Sequence, residues 1–293
     1  MAGYLLAVLS SLFFSIYIVP RKLSKLSPIV FSFFMSLGFA ISAIVLYLLK
    51  PIIGFHESIS PALLWSVVAG IIWATSFVLF VTSIDAIGLS RSNQWKNLQG
   101  PIAAILGIII LGEFATINPF FAILAAFAIF LSAVFFTTSS DSEKRFDVRG
   151  VYLATLAGIG FGSVAVIQKY VTSNVGVYSQ QVVWSLSIAA SLFVYILVRG
   201  RVQEMNQSTK RELALGLVAG ILYMGASIFQ LFSYNYLAVS ISFTIIQMNA
   251  LWTALIGILV FKEIDMKKYY KNVALGLIFT LVGILFLAFA RRG

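Results

Sequence analysis

Ten stretches of about 20 mostly apolar residues follow one another through the chain, the length a helix needs to cross the hydrocarbon core of a membrane. They read at 2–19, 29–49, 61–84, 88–111, 118–137, 150–169, 178–198, 212–234, 239–261 and 272–290. Hydrophobic residues make up 60% of the 293 positions and charged residues 10%, against about 45–50% and about 25% in soluble domains. The longest polar segments, 139–149 and 199–211, are loop-sized and leave no room for a soluble domain. The fold class expected is an all-α membrane protein with ten transmembrane helices. Barrel strands would alternate apolar and polar residues over about 10 positions, whereas 102–111 and 275–290 are apolar on every face. The first stretch has no basic leader, and Pro20-Arg21-Lys22 follows it in place of a small-residue cleavage site. It is read as a helix and not as a signal peptide.

Several function classes fall away on composition. The net charge of +10 sits in short basic clusters between apolar stretches, which is no surface for a nucleic acid. With no cysteine, disulfides and thiolate chemistry are excluded, and with one histidine, His56, so is a multi-histidine metal site. No cofactor is expected. ATP-driven transport would need a phosphate-cradling Gly-x-x-x-x-Gly-Lys-Ser/Thr, which the chain lacks. A membrane enzyme would need clustered catalytic side chains within the spans, and none is legible.

The chain repeats itself. VAGIIW at positions 68–73 returns as VAGILY at 218–223, a shift of 150. The register then holds without a gap: Asp85 meets Asn235, Ser90 meets Ser240, Gly107 meets Gly257 and Glu113 meets Glu263. Span one aligns with span six at a nearby shift, with Arg21-Lys22 meeting Gln168-Lys169. Each copy holds five spans, an odd number, so the second enters the membrane inverted. This is a plan used by secondary transporters, in which two halves rock about a central site. The expected organisation is a first five-helix repeat at 1–137, a cytosolic linker at 138–149, and an inverted five-helix repeat at 150–293. Loops on one side carry fourteen Lys and Arg (Arg21, Lys22, Lys25, Lys144, Arg145, Arg149, Arg199, Arg201, Lys210, Arg211, Lys262, Lys267, Lys268, Lys271), the other side four (Lys50, Lys169, Arg291, Arg292). The positive-inside rule then places both termini outside the cytoplasm.

Polar residues inside a span are costly unless they face a cavity or a partner. Ser90, Gln94 and Asn97 share one helical face of span four, and Ser240, Thr244 and Gln247 share the matching face of span nine. Two readings stand: paired stripes lining one central cavity, or interhelical hydrogen bonds that hold the spans together. Arg91 and Lys96 either face a substrate anion or snorkel to the cytosolic surface on their long stems. Trp73 and Tyr223 occupy matched positions and offer flat faces for a sugar ring or planar metabolite. Trp95 and Trp252 lie in spans four and nine. Ser66/Gly70 recurs as Gly216/Gly220 and Ala103/Gly107 as Thr253/Gly257, small-residue faces suited to close helix packing. Gly158, Gly160 and Gly162 are hinge candidates, and Gly100-Pro101 should kink span four. None of the ten acids lies at the centre of a span, so proton symport has no clear carrier. Glu113 and Glu263 are expected to cap helix ends or pair with basic loop residues, and Asp85 to pair with Arg91. The substrate-binding candidates are Trp73, Arg91, Gln94, Trp95, Lys96, Asn97, Tyr223, Thr244 and Gln247.

These residues carry a resemblance. Ten spans in two inverted repeats, with the acidic turns Leu111-Gly112-Glu113 and Phe261-Lys262-Glu263, resemble the drug/metabolite transporter superfamily. Val19-Pro20-Arg21-Lys22, Ile72-Trp73-Ala74-Thr75 and Ser242-Phe243-Thr244-Ile245-Ile246 running on to Gly257 and Phe261-Lys262-Glu263-Ile264 resemble its glucose/ribose porter branch. The resemblance covers essentially the whole chain. It implies a cavity between spans one, three, four, six, eight and nine, with five and ten outside it. It also implies a secondary-active or facilitative carrier for a sugar or sugar derivative. The basic and bulky 90–101 departs from that branch, and keeps open export or exchange of an anionic metabolite or amino acid. The partners expected are a small-molecule substrate and the lipid bilayer. Coupling to a proton or counter-substrate and a homodimer stay open.

Overall fold

Apolar side chains on every face and a lipid surround leave the backbone only intra-helical partners, and in the computed structural model the described residues form helices joined by short turns. It describes residues 1–52, 57, 59–87, 89–137, 147–260 and 266–290, without the side chains of Lys22, 89–91, Thr137, 257–258 and 266–268. His56, the motif around Glu263, Arg291, Arg292 and most of the 138–149 linker therefore lie outside the described residues. The helices are α1 (Ala2–Ile16), α2 (Val19–Leu23), α3 (Pro28–Leu49), α4 (Leu64–Ile87), α5 (Leu89–Lys96), α6 (Gln99–Ile110) and α7 (Pro119–Thr137). They continue as α8 (Val148–Thr172), α9 (Val177–Val198), α10 (Val202–Asn206), α11 (Lys210–Tyr234), α12 (Val239–Ile246), α13 (Asn249–Leu259) and α14 (Met266–Ala290). Among the described residues there is no β-strand, and nine helical stretches are long and apolar enough to cross a membrane. The protein is a multi-pass membrane protein.

Local chemistry sets the ends. Proline opens α3 and α7 where its missing N–H costs nothing. Asp147 caps α8 by accepting from Arg149 N–H at 2.9 Å, and Thr209 caps α11 by accepting from Glu212 N–H at 3.3 Å. Gly112 has φ +67°, a conformation that side chains other than glycine's rarely adopt. It ends α6 and turns the chain so that Glu113 points back into the protein.

The broadest helix contacts all join the N-terminal part of the chain to the C-terminal part. α4 lies on α8 and α9, α11 lies on α1 and α3, α3 lies on α9, and α7 lies on α14. Small residues make this possible. A Cβ on Gly220 would collide with the Met35 carbonyl and the Phe39 N–H of α3. One on Gly70 would collide with Ser187 of α9, and one on Gly216 with Phe34. The small-residue faces at Gly70, Gly216 and Gly220 are packing faces, as their spacing suggests.

Candidate functional site

Two helices break at matched places. α5 ends at Lys96 and α6 begins at Gln99; α12 ends at Ile246 and α13 begins at Asn249. The turn bonds correspond one to one: Asn97 N–H to Asn93 O and Gln247 N–H to Phe243 O, both 3.0 Å; Leu98 N–H to Trp95 O, 3.2 Å, and Met248 N–H to Ile245 O, 3.0 Å; Gly100 N–H to Asn97 O, 3.3 Å, and Ala250 N–H to Gln247 O, 3.4 Å. Pro101 accounts for part of the first break, since it brings no N–H to Asn97 O. Leu251 stands in the same place in the second, so proline is not what the break requires. Each break is approached by small residues of a facing helix. Cβ atoms on Gly158 and Gly162 of α8 would lie 2.8 Å from Lys96 O and 2.9 Å from Gln99 O. Their counterparts on α1, Ser11 and Ser15, reach the second break through hydroxyls: Ser15 Oγ donates to Asn249 O at 2.9 Å, and Ser11 Oγ accepts from Trp252 Nε1 at 2.9 Å. The glycines of α8 are thus sites of close approach, with Gly160 against Ser76. Where the two broken helices meet, Gln99 Nε2 donates to Gln247 Oε1 at 2.8 Å, both side chains buried.

The structure brings some of the sequence-derived residues together and separates others. Trp73 and Tyr223 meet edge to face with ring centroids 5.9 Å apart. Around Tyr223 stand Phe14, Tyr17, Phe39 and Trp184, at 5.4, 5.2, 5.1 and 6.2 Å. Trp73 also stacks on Phe77 at 5.5 Å. Tyr17 follows α1 at the turn before α2, so that turn meets the aromatic cluster. Gln247 joins the centre through Gln99. Thr244 donates to Ser240 O at 2.6 Å and so bonds its own helix, while Ser240 Oγ donates to Glu113. Gln94 and Asn97 are half-buried. Trp95 is 38% exposed and stands apart from the cluster. The Lys96 ammonium lies 5.5 Å from the centre of the Phe80 ring, a cation–π contact. The Arg91 side chain, and with it a pairing to Asp85, lies outside the described residues.

A second buried polar group was not anticipated from the sequence. Between α8, α9 and α11, Gln230 Nε2 donates to Gln168 Oε1 at 2.8 Å and to Tyr234 Oη at 2.9 Å. Gln180 Nε2 donates to Gln168 O at 3.0 Å, and Thr172 Oγ1 to Gln180 Oε1 at 2.8 Å. Gln181 Nε2 donates to Ser227 Oγ at 2.6 Å. On α11 the residues Tyr223, Ser227, Gln230 and Tyr234 follow the i, i+4, i+7, i+11 pattern of one face, which is the signal that was available. The seam therefore runs on from the aromatic cluster.

Carboxylates tie the ends of the bundle. Glu113 accepts from Val239 N–H, from Ser240 N–H at 3.1 Å and from Ser240 Oγ at 2.6 Å, capping α12 from a remote loop. Glu57 does the same for α9, accepting from Tyr178 N–H, Ser179 N–H and Ser179 Oγ at 2.8, 2.9 and 2.7 Å, and it pairs with Lys50 at 3.2 Å. Glu204 accepts from Ser27 N–H at 2.7 Å at the start of α3 and pairs with Arg201 at 3.1 Å. Partial burial alone would raise the Glu204 carboxyl, but the Ser27 N–H and the Arg201 guanidinium outweigh it and hold it below its ordinary 4.5. Glu212 accepts from Ser24 Oγ and from Lys25 N–H. Lys169 donates to the carbonyls of Tyr234 and Leu237 at the end of α11.

Among the described residues no three His, Asp or Glu side chains come together as metal ligands. Beside the carboxylates that hold helix ends and the Lys96 ammonium on Phe80, the interior offers neutral amides, hydroxyls and aromatic faces, groups that can hold an uncharged polar solute.

The model of the family described as "Sugar transport protein" matches residues 53–290. A probable glucose uptake protein GlcU of Bacillus cereus is 24% identical over 267 residues, 87% of each chain. The glucose uptake protein GlcU of Bacillus subtilis is 22% identical over 297 residues, 98% of each chain. A solved crystal structure with 12% sequence identity superposes with a TM-score of 0.73 over 97% of this chain and 94% of its own, a likeness of fold alone. With most of its length matched by one family model, the chain belongs to the sugar transport protein family and is a multi-pass membrane transporter.

Proposed function

We propose that the protein carries a neutral sugar across the membrane by alternating access between two inverted five-helix halves, 1–137 and 150–293. In this reading all ten spans cross, 138–149 lies in the cytosol, and both termini lie outside. The observation that carries it is the pair of breaks 150 residues apart, joined at the centre by the Gln99–Gln247 bond. Broken helices at the midplane of repeated halves are where transporters of this plan bind their substrates. The names of the bacillary relatives support glucose as the sugar.

The substrate lies against Trp73 and Tyr223, with Gln247, Asn97, Gln94 and Thr244 of the two broken helices in the same central region. Arg91 lies toward the cytosolic end of α5, while Trp95 and Lys96 close α5 beside the break, with the Lys96 ammonium on the Phe80 ring. Among the described residues the buried carboxylates, Glu113 and Glu212, hold chain segments at the ends of helices. Among the described residues no acid is left at the centre to ferry a proton, which supports facilitated diffusion or exchange.

The test is uptake of labelled D-glucose into liposomes reconstituted with the full chain, beside labelled sugar acids and sugar phosphates. Saturable glucose uptake with no uptake of the anions is the expected result. Uptake of the anions alone, lost in Lys96→Ala, would overturn the neutral-sugar reading.

A further inference from the structure

We propose that the seam between α8, α9 and α11 is the hydroxyl-reading subsite of this transporter, with Gln168, Gln181 and Trp184 as the groups that bind the ligand. Three polar atoms there are buried without a hydrogen-bond partner: Gln168 Nε2, Gln181 Oε1 and Trp184 Nε1. Their side chains are 2%, 0% and 2% exposed. Buried polar groups are almost always satisfied, and each exception calls for a cause.

Gln168 turns Oε1 toward the Gln230 amide N–H and leaves Nε2 open. Gln181 meets only the Ser227 hydroxyl, so whichever way its amide is turned, one end stays unpaired. Trp184 sets its ring in the aromatic cluster, 6.2 Å from Tyr223 and 5.3 Å from Phe39, with its N–H unpaired. Two donors, one acceptor and an aromatic wall, with the nearby Lys169 ammonium engaged by carbonyls, suit an uncharged polyol. A hydroxyl both donates and accepts, while an anion would face the Gln181 carbonyl.

The first repeat does not carry these amides. α3 and α9 are both 22 residues long, and aligned end to end they place Ser32 and Met35 where α9 has Gln181 and Trp184. At the position of Gln168 the first half has Arg21, whose guanidinium lies 5.5 Å from the centre of the Phe31 ring. The first half thus holds no amide at these three positions.

This assignment rests on the neutral-sugar reading and deepens it. Its test measures the affinity of the purified full chain for D-glucose and for each of its monodeoxy analogues. The proteins are the wild type, Trp184→Phe, which keeps a ring and loses the N–H, and the near-isosteric Gln181→Met. Loss of one hydrogen bond should weaken glucose binding about tenfold in each variant. For each variant one deoxy analogue, the one lacking the hydroxyl that the deleted group reads, should bind as tightly as it does to the wild type. If the wild type binds and carries glucose while both variants keep its affinity and its analogue pattern, the seam is a structural network completed by water, and the proposal is overturned. If the wild type binds no neutral sugar, the carrier reading itself fails and the subsite with it. A variant that does not fold is replaced by Gln168→Met, which removes the third free atom and is scored the same way.

Discussion

A single buried amide pair carries much of the central geometry. Gln99 and Gln247 satisfy each other between the two broken helices. Gln247→Leu leaves the Gln99 amide buried and unanswered, which should cost about 1–3 kcal/mol. Replacing both by Leu should be nearly neutral, because no polar group is left alone. Thermal unfolding in detergent of the two singles and the double checks this; simple additivity of the two losses would show that the pair is not coupled. Part of the centre was legible at this scale. Trp73 and Tyr223 were singled out because their position repeats, and they do touch. Gln247 was singled out by its stripe, yet its partner Gln99 lies outside that stripe. The amides of the seam were not legible, because Gln168, Gln181 and Gln230 lie in three helices and become neighbours only through tertiary packing. Nothing in the sequence separated the exposed Trp95 from the buried Trp184.

At the scale of the helix, among the described residues, hydrophobic length located nine of the ten expected spans to within a few residues, since the thickness of the bilayer sets it; span four, broken after Lys96, is not among the nine. The breaks were harder to read. Gly100-Pro101 pointed to a distortion in span four, and the break falls just before it, at 97–98. The break in α12–α13 has no proline and no local signal. Pro101→Leu should therefore fold, keep the break and transport at close to wild-type rates. Collapse of uptake in that variant would mean that the proline itself is required. Close approach is less forgiving. Gly220→Ala drives a methyl into the backbone of α3, and overpacking of this kind costs about 1–3 kcal/mol. It should lower the melting temperature, whereas an unchanged melting temperature would mean that α3 and α11 separate at no cost.

For the whole molecule, alternating access needs contacts that hold each face shut in turn. Glu57 in the loop after α3 seizes the start of α9, and Glu204 in the loop after α9 seizes the start of α3. In the proposed orientation they lie on opposite faces. Glu57→Gln should weaken the outer clasp and raise labelling of a cysteine placed beside Tyr178, against a background free of native cysteine. Unchanged labelling would remove Glu57 from the gate. The Glu204 carboxyl is held below its ordinary 4.5, so its contribution is present above that value and is lost as the pH falls through the lowered one. The stability difference between the wild type and Glu204→Gln should then be constant at neutral pH and shrink only in acid. A difference that shrank already near neutrality would contradict the direction of that shift.

The most direct test of the carrier account is counterflow. Liposomes holding the protein and a high concentration of unlabelled D-glucose are diluted into a trace of labelled glucose, with no ion gradient. A carrier that exposes one central site to each side in turn should draw label inward to a transient level above that outside, and then lose it. Monotonic equilibration with no overshoot would mean a continuous pore, and would contradict alternating access between the two halves.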